Sequence, residues 1–180
     1  HPKPEEVAVL VGFAGGAALV LGSRRTPGGG SELWFGRWDP ASGEVATVAR
    51  RPDEGTFAAA LAPDGTALLT DEEGGLHLWS SATGALLRSS AGHAAAVTSV
   101  AVSPDGALAL STARDGTVRG WHTADGRVAF TVRVGWRDVK AAVFSADGAQ
   151  ALAGDIGGHQ LLLDASSGKL VRALGLHRGL

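Results

Sequence analysis

Apolar residues in this chain come in short runs, cut by glycine, proline, aspartate and serine before a helix has room to form. The stretch 97–132 shows the pattern clearly, with apolar segments at 97–102, 107–112, 117–121 and 127–132. Segments of about five to seven residues suit strands, whereas helices want about ten or more. The corners carry turn chemistry. Ser103-Pro104-Asp105-Gly106 combines a residue that presets φ with one that tolerates positive φ, and Asp115-Gly116 and Asp125-Gly126 punctuate the next two. Two alanine-rich pieces, 57–62 and 94–96, make the best case for helix, but Pro63 ends one and Gly92 interrupts the other. The pattern predicts an all-β chain.

The corners also keep time. Asp-Gly pairs stand at Asp64-Gly65, Asp105-Gly106 and Asp147-Gly148, 41 and 42 residues apart. A second set, Ser42-Gly43, Thr83-Gly84, Asp125-Gly126 and Ser167-Gly168, repeats at 41, 42 and 42. Trp38, Trp79 and Trp121 follow the same beat, with Leu163 in the fourth place. Three markers in one register define a tandem repeat of four short strands per unit. The first unit aligns if Ala14-Gly15-Gly16 forms its Pro-Asp-Gly turn, and its extra residues at 23–31 are expected to lengthen a hairpin loop. Trp38 is expected in the core, with Trp34 the more exposed of the two.

The run from Gly92-His93 through Ser103-Pro104-Asp105-Gly106 and Asp115-Gly116 to Trp121 resembles a WD-repeat unit of a β-propeller. The second unit is similar at Ala62-Pro63-Asp64-Gly65 and Leu76-His77-Leu78-Trp79-Ser80. The resemblance implies four four-stranded antiparallel blades at about 7–55, 56–96, 97–138 and 139–180, behind a linker at 1–6, as an incomplete part of a larger ring. It also implies a structural hydrogen-bond network at His93, Ser111, Asp115 and Trp121, which the third unit alone keeps in full. The second unit has Glu73 in the aspartate position and Pro52 in the histidine position. The fourth has Trp136, Gly157 and Leu163 in the histidine, aspartate and tryptophan positions, so apolar packing is expected to hold it. His177, two periods after His93, would open a fifth unit.

Composition narrows the function. Cysteine is absent, which excludes disulfides, thiolate metal sites and a cysteine nucleophile. Sixteen basic and eighteen acidic residues give a net charge of −2, with no field to attract nucleic acid or anionic lipid. No apolar run approaches the ~18 residues that span a bilayer. The start, His1-Pro2-Lys3-Pro4-Glu5-Glu6, shows no leader pattern, and without an initiating methionine the chain reads as a processed or excised piece. The six histidines lack ligand spacing, and Gly28-Gly29-Gly30 lacks the lysine of a phosphate loop. The strands expected to line the channel, at 7–11, 57–61, 97–101 and 139–143, carry no carboxylate or histidine. His93, Ser111 and Asp115 also spell a hydrolase-like set, a reading set against their bracing role in the family.

These observations point to a non-enzymatic protein–protein interaction scaffold without cofactor or metal, part of a larger bacterial WD-repeat protein and more at home in the cytoplasm than elsewhere. The resemblance implies a partner surface in the loop cluster holding Glu72 and Arg114, with Ile156 aligned to them, and Trp136 and Arg137 add an aromatic and a charge at the entrance to the fourth blade. Open end faces would take missing blades or a second copy. A propeller enzyme or small-ligand binder with its site in the loops at the channel mouth is the alternative.

Overall fold

The computed structural model describes residues 6–14, 17–39, 41–52, 58–71, 73–134 and 138–174; side chains are described from Ala18 onward, those of residues 49, 51 and 52 excepted. Glu72, Trp136, Arg137 and His177 lie outside the described residues. The described residues form sixteen strands in four separate sheets, each of four sequential antiparallel strands. The first blade is β1 (Glu6–Ala14), β2 (Ala17–Arg25), β3 (Ser31–Trp38) and β4 (Val45–Pro52). The second is β5 (Ala58–Leu61), β6 (Thr66–Thr70), β7 (Leu76–Ser80) and β8 (Leu86–Ser90). The third is β9 (Val97–Val102), β10 (Leu108–Ala113), β11 (Thr117–His122) and β12 (Val128–Arg133). The fourth is β13 (Val139–Phe144), β14 (Gln150–Asp155), β15 (Gln160–Asp164) and β16 (Leu170–Leu174). The alanine-rich segment predicted as the best case for helix contains β5, because Pro63 and the adjoining Asp64-Gly65 turn stop it after one short extended run.

The turns that set the period also set the backbone. Gly65, Gly106 and Gly148 lie at φ 88°, 76° and 72°, a region where an L side chain is strained. Around Gly106 the Ser103 hydroxyl donates to Asp105 Oδ1 at 2.6 Å, and Asp105 accepts the Ala107 N–H at 3.0 Å. The fourth blade repeats this with Ser145, Asp147 and Ala149 at 2.6 and 3.0 Å. These bonds, the serine hydroxyl first, hold the carboxyls of Asp105 and Asp147 below the usual carboxylate range.

Blades meet through apolar faces, and the first strands β1, β5, β9 and β13 are neighbours in succession. Leu21, Leu33 and Phe35 pack on Ala67 and Leu69; Leu68, Leu76 and Leu78 pack on Ala109 and Trp121; Leu110, Val118 and Phe130 pack on Ala151, Ala153 and Leu163. Leu68 and Leu110 occupy the same place in successive blades and are 0% and 1% exposed, whereas their counterpart Leu152 is 36% exposed on the open face of the fourth blade. Each outermost strand carries a bulge. In blades two to four it follows the pair formed by Trp79, Trp121 or Leu163, and in the first it lies two residues further along, between Phe35 and Gly36.

Two expectations for the first blade are corrected. Residues 23–31 do not form a lengthened loop: β2 continues to Arg25, β3 begins at Ser31, and only 26–30 turn, closed by Thr26 N–H to Gly30 O at 2.8 Å. The extra residues extend the strands because Arg24 and Glu32 face each other and pair at 2.8 Å. The tryptophans are also exchanged. Trp34 is buried and Trp38 only half-buried, because the Trp34 indole lies flat over Gly22 and Gly36, where any Cβ would collide with it.

Candidate functional site

The third blade brings His93, Ser111, Asp115 and Trp121 together. Trp121 Nε1–H donates to Ser111 Oγ at 2.8 Å, and Ser111 Oγ lies 2.7 Å from His93 Nε2. On the other side of the ring, His93 Nδ1 lies 3.0 Å from Thr117 Oγ1 and 3.2 Å from Asp115 Oδ2. Asp115 also accepts the Thr117 hydroxyl at 2.6 Å and the backbone N–H groups of Thr117 and Ala94, both at 2.9 Å. The donors fix one direction for the chain: indole N–H to serine, serine O–H to Nε2, and Nδ1–H to Thr117 and Asp115. Thr117 is a member that the sequence reading missed. The position two residues after an aspartate at a tight turn was the available signal, since it returns both its N–H and hydroxyl to that carboxylate.

Local structure explains the assembly. Ser111 and Trp121 sit on adjacent strands β10 and β11, Asp115 in the turn between them, and His93 in the connection from β8 to β9. His93 is tied down by its own N–H to Gly74 O at 3.0 Å. Burial depresses the His93 pKa against the pull of Asp115, so the imidazole is neutral. Burial alone would raise Asp115, but the Thr117 hydroxyl, the two amides and His93 outweigh it and hold that carboxyl below its ordinary value.

Both shifts act in one direction on stability. The unfolded chain takes up a proton at His93 near its ordinary 6.5 while the folded chain resists, so stability falls as pH drops below about 6.5. Asp115 adds a further loss below its ordinary 3.8, as pH falls through its depressed folded value. Urea midpoints are expected to decline from about pH 6.5 towards 5 in the wild type, and less steeply in His93→Asn. Parallel declines in the two proteins would contradict this assignment.

The arrangement has the residue types of a hydrolase relay without its access. Ser111 is 1% exposed, and its oxygen is shared between an indole and an imidazole. The fourth blade replaces the buried members of the chain by apolar groups: Leu163 stands for Trp121 and Ala153 for Ser111, both 0% exposed. Trp136, expected in its histidine position, lies outside the described residues. Val134 donates its N–H to Gly116 O at 3.0 Å as His93 does to Gly74 O, and Val134 is buried in the junction. The connection is one residue shorter than the period implies.

Two polar clusters were missed. In the second blade Asp71 accepts the Gly75 N–H at 2.6 Å and meets His77 Nε2 at 2.8 Å, and His77 Nδ1 lies 2.8 Å from Ser89 Oγ. In the fourth, Asp155 accepts the His159 N–H at 2.9 Å and contacts His159 Nδ1 at 2.8 Å. Both aspartates precede the family position by two residues, so a search at Glu73 and Gly157 passes over them. Among the described residues no group of three or more His, Asp or Glu is placed to hold a metal ion. No helix among the described residues is long and apolar enough to cross a membrane.

Of the expected partner surface, Arg114 is described and exposed in the β10–β11 turn, with its N–H bonded to Ala96 O at 3.0 Å. Ile156 is its counterpart in the fourth blade, exposed and bonded in the same way to Asp138 O at 3.1 Å. Glu72, Trp136 and Arg137 fall outside the described residues.

Comparison with known proteins agrees with this anatomy. Residues 84–122 match the family described as WD domain, G-beta repeat. The match runs from the turn before β8 through β11, so the repeat straddles a blade boundary by one strand. The protein ROOT INITIATION DEFECTIVE 3 of Arabidopsis thaliana is 33% identical over 106 residues, 58% of this chain and 23% of that protein. The chain therefore spans about a quarter of that relative's length. Among solved structures, the computationally designed Ika8 protein superposes with a TM-score of 0.75 at 21% identity, over 96% of this chain and 50% of that one. The designed Ika4 protein gives 0.64 at 24% identity, over 71% and 76%. The chain has the β-propeller fold, in four consecutive four-stranded antiparallel blades, with one match to the WD domain, G-beta repeat across the second and third.

Proposed function

We propose that the chain is a non-catalytic protein-interaction scaffold, a docking module that presents its turns to protein partners. The observation that carries this reading is the use made of its most reactive-looking residues. His93, Ser111 and Trp121 are buried, Asp115 is partly so, and every member of the network is engaged in bracing a blade, which favours a structural role over turnover. WD repeats generally mediate protein–protein interaction, and the third blade carries one. The turns holding Arg114 and Ile156 are anchored to the adjoining connections, so they offer a charge and an apolar side chain on rigid supports. Exposed arginine and large apolar groups are the usual anchors of interfaces. Glu72, Trp136 and Arg137 complete this surface in our reading, and the open face around Leu152 takes a further blade-like surface.

The test uses the 180-residue chain as bait. Proteins captured from a source proteome are expected to include species lost with Arg114→Glu and Ile156→Asp while the circular dichroism spectrum is unchanged. An identical capture profile for wild type and both variants would remove this surface from the proposal. The enzyme reading draws on the half-exposed Asp71–His77–Ser89 chain. Hydrolysis of an activated ester that exceeds free imidazole and disappears in Ser89→Ala would favour it.

A further inference from the structure

The second and third junctions between blades are closed by different side chains at the end beside the β5–β6, β9–β10 and β13–β14 turns, and the first is left open at that end. At the second junction Leu78 pairs across the strands with Arg88, whose Nε–H donates to Ala124 O at 3.3 Å in the next blade. Ser90 adds a bond from its hydroxyl to Gly126 O at 2.8 Å. At the third junction Gly120 pairs with Phe130, whose ring lies on Gly168 so closely that a Cβ there would come within 2.4 Å of it. At the first junction the corresponding pair is Arg37 with Ala46. The displaced bulge of β4 has put a methyl group where the later blades put a guanidinium or a phenyl ring.

The result is a cavity of about 620 Å³ between the first and second blades. Leu19, Val48 and Leu87 form its apolar side, with Arg37, Asp64 and Ser81 on the polar side. This volume lies within the ~300–1,000 Å³ range of binding clefts. Its two charges are not equivalent. Asp64 already accepts the Thr66 N–H at 2.8 Å and the Thr66 hydroxyl at 3.1 Å. Arg37 is exposed, and its guanidinium has no hydrogen-bond or ion-pair partner among the described residues. The cleft therefore offers an apolar recess beside a guanidinium that is held in no ion pair. It opens beside the β5–β6 and β7–β8 turns, at the opposite end of the blades from Arg114.

We propose that this cleft is a docking site for an extended segment of a protein partner. The segment seats one large apolar side chain, aromatic or leucine, among Leu19, Val48 and Leu87, and sets an acidic residue beside it against Arg37. The incoming side chain takes the place that Phe130 fills from within at the third junction. This inference rests on the scaffold reading but uses a different surface, so the two fail separately.

The test pans a phage-displayed random peptide library on the wild-type chain, with counter-selection on Ala46→Phe, which closes the cleft as Phe130 does. Enriched peptides are expected to pair an aromatic residue or leucine with an adjacent acidic residue. As synthetic peptides they are expected to bind more weakly to Arg37→Glu, by about tenfold or more, because the reversal sets two like charges against each other. Arg37→Glu alters an exposed side chain, so it serves even if Ala46→Phe fails to fold. Peptides that lack the apolar–acidic pair, or that bind Arg37→Glu unchanged, would overturn the proposal. So would the absence of any enrichment. An identical capture profile for wild type, Arg114→Glu and Ile156→Asp with the peptide result intact would instead count against the scaffold surface alone.

Discussion

Replacing Trp121 with alanine is expected to destabilise the chain by about 3–5 kcal/mol, the range for truncating a large buried aromatic. The indole is 1% exposed and lies in the junction with Leu68, Leu76 and Leu78 of the second blade. Its loss opens a cavity between two blades and also removes a donor from Ser111. The two contributions separate experimentally. Trp121→Phe keeps most of the ring but deletes the N–H, and is expected to cost about 1–3 kcal/mol, the penalty of disturbing a buried polar group. Urea unfolding of both variants checks the order. No loss in Trp121→Phe would mean that packing alone is at stake and that the hydrogen bond to Ser111 contributes nothing.

Leu163→Ala is expected to cost about 2–5 kcal/mol, although Leu163 stands in a position that the family fills with tryptophan. Leu163 is fully buried against Leu110, Val118 and Phe130 and contributes no hydrogen bond through its side chain. The fourth blade has exchanged its polar chain for an apolar one, with Ala153 and Val134 completing the change. Restoring only the aromatic member does not restore the network. Leu163→Trp is expected to lose stability by about 1–3 kcal/mol through overpacking, and the Ala153 side chain has no oxygen to receive the indole N–H. A Leu163→Trp protein as stable as wild type by thermal unfolding would show that this junction has spare room.

The features legible in the sequence were those made by local chemistry. Asp64-Gly65, Asp105-Gly106 and Asp147-Gly148 announce turns because glycine adopts their positive φ and aspartate caps the following N–H, whatever the rest of the chain does. The third blade's network was legible because all four residue types are present in one repeat. The features that escaped depend on register. Nothing local tells that Arg24 and Glu32 pair and so lengthen the first hairpin, or that Gly22 and Gly36 clear a bed for Trp34. Asp71 and Asp155 moved two residues from the family position while continuing to cap their turns. The cleft beside Arg37 follows from a bulge displaced along β4, which changes cross-strand partners without any unusual residue.

The bulges have a meaning at the rim as well. β4, β8, β12 and β16 are the outermost strands of their sheets, and β8 exposes Leu86 and Leu87 side by side. A straight outer strand with such residues would template fibril-like stacking between molecules. The extra residue in each of these strands breaks the regular donor–acceptor spacing that a neighbouring molecule would have to match. The same irregularity that opens a recess in the first blade thus guards all four perimeters against runaway polymerisation.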